Sequence, residues 1–210
     1  MVLAAVCFAT HAHAQNLVPN PNLDGVLAPW GQYLTAAPDP TGVGAAPLHV
    51  ALPDFNNNPA SGSALVDINT STPATNAASG IAQCFNFAAT PVNFVNYGGS
   101  FLVPAATTTD GSINATVEVR LFAAANCNTF ITGGSQGRTF LPGLATATWF
   151  TATDNNFVLP GAPVMVASAE VRGYLRQTLS PQADYKANFD KFFLVLNSIT
   201  PVRLLNFGVE

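Results

Sequence analysis

Charge is what this sequence has least of. Seven lysines and arginines against eleven aspartates and glutamates, in 210 residues, leave a net charge of −4 with no block of like sign. A nucleic-acid binder needs a basic stripe to meet phosphates, so no nucleic-acid partner is expected. Histidine is nearly missing too: His11 and His13 fall in the first fourteen residues, and only His49 remains beyond them. Flanked by Leu48 and Val50, it suits a structural role, and a nucleophilic triad is left without a base. No glycine-rich phosphate loop, nucleotide fingerprint or metal-ligand cluster occurs. No apolar run approaches the ~18 residues of a membrane-crossing helix, so no membrane span is expected. No stretch shows the periodicity of an amphipathic helix.

Cysteine is scarce and placed tellingly. Met1–Ala14 reads MVLAAVCFATHAHA, a short apolar stretch ending in a small-x-small pattern before Gln15. It reads as a signal peptide, though without a positive n-region; an N-terminal strand or helix is the other reading. Its removal leaves Cys84 and Cys127. In a secreted chain these most simply form one disulfide, against the alternative of two buried thiols. The protein is therefore expected outside the cell, in the periplasm or at the cell surface.

What is abundant is apolar residues, at 49% of the chain, interleaved with Gly, Pro and Asn clusters. That composition supports a sizeable core. Ala115–Ala123 alternates, with Val117, Val119 and Leu121 opposite Glu118, Arg120 and Phe122. Val164–Gln177 does the same, with Val171 and Leu175 opposite Glu170, Arg172, Tyr174 and Arg176. Tyr185–Asn197 is apolar on both faces from Phe192 to Leu196, which requires a strand covered on both sides. Weaker strands are read at Leu48–Leu52, Ser63–Ile68, Gly80–Phe87, Phe101–Pro104 and Thr146–Thr153. Asn126–Asn128 and Gly133–Gly137 read as turns. About nine short strands make an all-β antiparallel sandwich or barrel. The domain is expected over 15–198, with 199–210 as an added strand or docking tail.

Candidate chemistry is sparse. Glu118 and Glu170 could serve as a hydrolytic carboxylate pair, but each has an arginine two residues on, which reads as cross-strand charge pairing. If their strands are neighbours, the face carrying Arg120, Arg172 and Tyr174 can bind a sugar: aromatic rings stack on pyranoses while planar polar groups fork onto hydroxyls. An ordinary solvated sheet face is the alternative. Trp149, mid-strand among Thr and Phe, reads as core. Trp30, in a Pro-Trp-Gly loop beside Tyr33, reads as an exposed platform or as a cap on one end of the sandwich. The sequons at Asn69 and Asn114 are taken as coincidental.

Several short motifs together resemble a known family. Asn16-Leu17-Val18-Pro19-Asn20, then Asp24 and Trp30, resembles the opening of jelly-roll carbohydrate-binding modules of the galactose-binding-like class. Ala60–Leu65 looks like the strand start that follows, Trp149…Phe157…Pro160 like a later passage, and Asn188-Phe189-Asp190 like the closing strand. Pro21, Leu23 and Lys191 depart from the pattern. The resemblance implies a jelly-roll β-sandwich and non-catalytic binding of a poly- or oligosaccharide. It also implies a structural calcium ion shared by Asp24 and Asp190, with Lys191 as a competitor. A structural or adhesive surface protein acting through protein contacts is the rival reading.

Overall fold

The computed structural model describes residues 15–35, 46–69, 77–105, 107–178 and 184–197. The expected signal peptide and the 199–210 tail lie outside the described residues. Ten strands run in chain order: β1 Gly31–Leu34, β2 Leu48–Val50, β3 Ser63–Asn69, β4 Ala78–Val92, β5 Phe94–Leu102, β6 Ile113–Ala124, β7 Asn128–Thr139, β8 Trp149–Val158, β9 Val164–Gln177 and β10 Asp184–Asn197. They form two antiparallel five-stranded sheets, ordered β1-β4-β9-β6-β7 and β2-β3-β10-β5-β8. The fold is the expected all-β sandwich, and among the described residues no helix is long and apolar enough to cross a membrane.

The alternating strands land where their patterns place them. On β6, Ile113, Ala115, Val117, Val119 and Leu121 are buried between the sheets, and on β9 Val171 and Leu175 join them. β10 lies at the centre of its sheet, which explains a sequence apolar on both faces. The segment before β1 also fastens to it. Leu17 N–H donates to Leu194 O at 2.9 Å, and Asn16 both donates to Phe192 O and accepts from Leu194 N–H.

Two strands contradict the sequence reading. Gly133–Gly137 is no turn; it lies inside β7, paired along its length with β6. Here glycine answers close approach. A Cβ at Gly134 would lie 2.7 Å from the Tyr97 hydroxyl and 3.1 Å from the Phe157 ring. β5 likewise begins at Phe94, well before the expected Phe101, through another glycine pair, Gly98 and Gly99. The Cys84–Cys127 disulfide is present, with Cα atoms 6.0 Å apart. Cys84 lies on the exposed outer face, where the alternation of β4 had suggested the core.

The two sheets also approach closely at Gly173, between Arg172 and Tyr174 on β9. A Cβ there would lie 2.7 Å from Phe192 and 2.8 Å from Phe189, both fully buried on β10. Gly173→Ala is expected to destabilise the fold by about 1–3 kcal/mol through overpacking. Urea unfolding should show the loss at unchanged slope; an unaltered midpoint would mean the sheets have slack at this point.

Candidate functional site

The outer face of the β1-β4-β9-β6-β7 sheet carries the groups the sequence singled out. Strand pairing sets Glu118 directly opposite Arg172 and Arg120 directly opposite Glu170 on neighbouring β6 and β9. The cross-strand charge pairing is therefore realised. Arg172 is its hub: it donates to Glu170 at 2.6 Å, to Glu118 at 3.3 Å and to the Tyr33 hydroxyl at 3.3 Å. Its guanidinium also lies 4.4 Å from the centre of the Tyr33 ring. Arg120 reaches Glu170 at 3.7 Å and stacks 4.6 Å over Phe130. Two arginines and two glutamates cancel, so this polar array is rigid and locally neutral.

Electrostatics follow from that arrangement. Burial works against the Arg172 charge, but the hydrogen bond and charge of Glu170, with the charge of Glu118, outweigh it and raise its pKa. Burial raises the pKa of Tyr33, as it does that of Tyr174, with Glu118 adding to both shifts. Both phenols are thus kept protonated, as hydrogen-bond donors.

One register row crosses all five strands: Tyr33, Gly80, Tyr174, Thr116 and Gly137. Two tyrosines stand over small neighbours, and the Tyr33 and Tyr174 rings lie 5.2 Å apart. Hollows flank Tyr174 and Arg176. One, of about 360 Å³, is lined by Tyr33, Ala78, Glu118 and Arg172. The other, of about 410 Å³, is lined by Asn114, Thr116, Ser135 and Gly137. Together they make a trough running across the strands, about 19 Å from β1 to β7 at ordinary strand spacing.

Of the two readings of Trp30 the structure bears out the cap, and Trp149 departs from its expected place in the core. Trp30 is buried, 4.4 Å from Phe192, with its indole N–H donating to Asn20 O at 3.1 Å. It caps the sandwich and offers no exposed platform. Trp149, read as core, is half-buried on edge strand β8 against Phe55. Phe130, which the sequence reading passed over, is 53% exposed. It sat unnoticed in a stretch taken for turns. His49 is structural, its Nε2 2.9 Å from Leu23 O.

On the opposite sheet, Asp190 is buried at a β-bulge between Asp190 and Phe193. It accepts from Phe55 N–H at 2.9 Å and Lys191 N–H at 2.6 Å. The acid facing it is Asp54, from the loop before β3, which corrects the expected pairing with Asp24. Asp24 is exposed, and its backbone N–H is held by the Asn20 side chain. Burial, reinforced by the Asp54 charge, pushes Asp190 up to about 7 against those two N–H groups. Asp54 is also buried, yet hydrogen bonds from Asn58, Ser61, Asn56 and Gly62 hold it below the usual carboxylate value. Lys191 does not compete, because its ammonium sits 4.1 Å over the Phe55 ring. Two carboxylates are hard oxygen donors suited to calcium, and the raised Asp190 marks negative charge not fully compensated. Among the described residues no third acid or histidine joins them.

No known protein family's sequence pattern matches this chain, and no curated protein matches it. Solved structures do match its fold. A family 61 carbohydrate-binding module in complex with β-1,4-galactotriose has a TM-score of 0.51 at 11% identity, covering 88% of this chain and 100% of that one. Carbohydrate-binding modules of the β-sandwich superfamily, described as promiscuous in specificity, give 0.52 at 13% identity over 82% of this chain and 59% of theirs. The enzymatically active domain of tailspike protein 4 from bacteriophage CBA120 gives 0.50 at 16%, over 87% and 21%. At these identities the likeness is one of fold alone: the chain is an antiparallel jelly-roll β-sandwich, the fold these carbohydrate-binding modules have.

Proposed function

We propose that this is a secreted, non-catalytic saccharide-binding protein whose ligand lies in the trough across β1, β4, β9, β6 and β7. The observation that carries the reading is the register row of Tyr33 and Tyr174 over small residues, beside the pre-ordered Arg172 array. The half-buried Tyr33 ring, backed by the buried Tyr174, offers an apolar face to a sugar ring, and the fixed guanidinium and amide groups meet its hydroxyls. Charge balance in the array suits an uncharged polyhydroxyl chain. Glu118 and Glu170 are both tied to Arg172, so neither is free to act as acid, base or nucleophile in glycoside hydrolysis. The fold shared with carbohydrate-binding modules adds support, as does the disulfide for a secreted location.

Tyr33→Ala is expected to weaken binding of neutral polysaccharide about tenfold, roughly 1.4 kcal/mol. Affinity electrophoresis against galactan, xylan and glucan would measure it. Met165→Ala, 50% exposed on β9, serves as the control. It lies about 30 Å along the strand from the trough row, so it should leave affinity unchanged. Equal losses in both variants, or none in Tyr33→Ala, would move the ligand off this row.

We further propose that Asp54 and Asp190 hold a structural calcium ion, with carbonyl oxygens completing its shell. Bound there, calcium would supply the positive charge that the buried acids lack. In the metal-free protein the sign of the pH effect is fixed. Asp190 is raised above its unfolded value near 3.8, so the folded state holds the extra proton between about 4 and 7, and stability falls as pH rises through that window. Asp54 acts only below it, because its pKa is lowered. Chelator-treated protein should lose melting temperature from pH 4.5 to 7.5, and Asp190→Asn should flatten that slope. Added calcium should raise the melting temperature at pH 7.5 in the wild type and not in the variant; no calcium effect in either would refute the metal site.

A further inference from the structure

The trough does not stop at β7. Gly137, the last member of its register row, also lines a larger cleft of about 560 Å³ on the side of the sandwich. This cleft lies where β7, the edge of one sheet, faces β8, the edge of the other. Its remaining wall is Gln136, Arg138, Trp149, Phe150, Thr151 and neighbouring residues. Gly137 adds no side chain at that point of the row, and what borders it is polar: Ala115 O, Asn114 Oδ1 and Thr116 Oγ1 lie 2.5, 2.6 and 3.0 Å from where its Cβ would sit. An extended ligand lying over Tyr33 and Tyr174 can run on into the edge.

The chemistry changes along that path. In the trough Arg120 and Arg172 are balanced by Glu118 and Glu170, while Arg176 lines both hollows. In the cleft Arg138 forms no ion pair among the described residues. Its guanidinium is stacked 4.5 Å from the centre of the Phe150 ring, which is itself braced 5.6 Å from Phe101. Stacking fixes the plane of the guanidinium and leaves its edge N–H groups for a planar anion. Trp149, steadied by Phe55, adds a half-exposed aromatic surface, Thr151 adds a hydroxyl, and Gln136 adds an amide that also donates to the Asp154 carboxylate at 3.4 Å.

We infer that the cleft reads a carboxylate on the saccharide held in the trough, with Arg138 as the residue that selects uronate-bearing chains. The inference rests on the saccharide-binding reading above and adds to it a ligand class and a second contact point. A sugar acid is favoured over an acidic peptide because the cleft adjoins the trough and sets an aromatic face, a hydroxyl and an amide beside Arg138; Leu141, Pro142 and Leu144 line a separate neighbouring hollow of about 440 Å³.

The test uses matched probes: oligogalacturonate, a glucuronic-acid-substituted xylo-oligosaccharide, and the carboxyl-reduced form of each. Titration calorimetry on the wild type should show the acid forms binding at least tenfold more tightly than the reduced forms, with the gap narrowing as salt is added. Arg138→Ala should abolish that preference and leave affinity for the reduced forms unchanged. Arg138→Lys should keep only part of it, since an ammonium cannot form the planar two-point contact. Equal binding of acid and reduced forms by the wild type overturns the inference and leaves the trough reading standing, as does a preference that survives Arg138→Ala. Binding of a glutamate-rich peptide through Arg138, with no acid preference among the sugars, also overturns it. Failure of every saccharide form to bind removes both readings together.

Discussion

The contact that sets everything else is the insertion of two phenylalanines from one sheet against a strand of the other that has no side chain to offer at that point. Phe189 and Phe192 reach across from β10 and meet Gly173 on β9. The same Phe192 also carries Trp30, so the cap of the sandwich and this close inter-sheet approach share one ring. Because side chains alternate along a strand, an inward Gly173 forces Arg172 and Tyr174 outward. The packing of the core and the aim of the outer polar face are thus one geometric decision.

On the outer side that decision is reinforced by charge. Arg172 is held by two carboxylates and a phenol, and Arg120 by one carboxylate and the Phe130 ring. A guanidinium fixed in this way loses little further freedom when a ligand arrives, which is how a shallow, polar surface can still bind. The Asp54–Asp190 pair is the counterpart on the opposite sheet, where a loop lies over the surface and buries its acids. There, desolvation dominates, and the mismatch between the two acids, one raised and one lowered, follows from how many N–H groups each receives.

Much of this was readable from the residues wherever alternation was uninterrupted. β6, β9 and β10 declare their buried faces, and the Glu-x-Arg spacing on β6 and β9 foretells their pairing. Reading failed where glycine replaced the pattern. Gly133, Gly134 and Gly137 look like turn residues in one dimension, yet they mark places where another strand or ring passes too near for a Cβ. Trp149 was misjudged for a related reason. Whether a strand lies at an edge, as β8 does, depends on sheet order, which local sequence does not encode. Asp190 was recognised as needing a partner, but its partner is Asp54. The loop carrying Asp54 folds over the sheet, while Asp24 points to solvent.

The Cys84–Cys127 bond ties β4 to the turn joining β6 and β7, and so it passes over β9, which lies between β4 and β6. Asn86 and Asn126 bridge the same gap through two hydrogen bonds. A covalent strap spanning a strand rather than joining neighbours alters how the sheet responds to tension. The β6–β9 ladder is guarded at its Phe122–Ser168 end by this strap, while the β4–β9 ladder runs on past Cys84 to Val92 opposite Val164. A polymer dragged across this face, by flow or by a moving cell, would load the sheet from the opposite, Tyr33 end, and peeling would be arrested at a sulfur–sulfur bond before it reached the far strands.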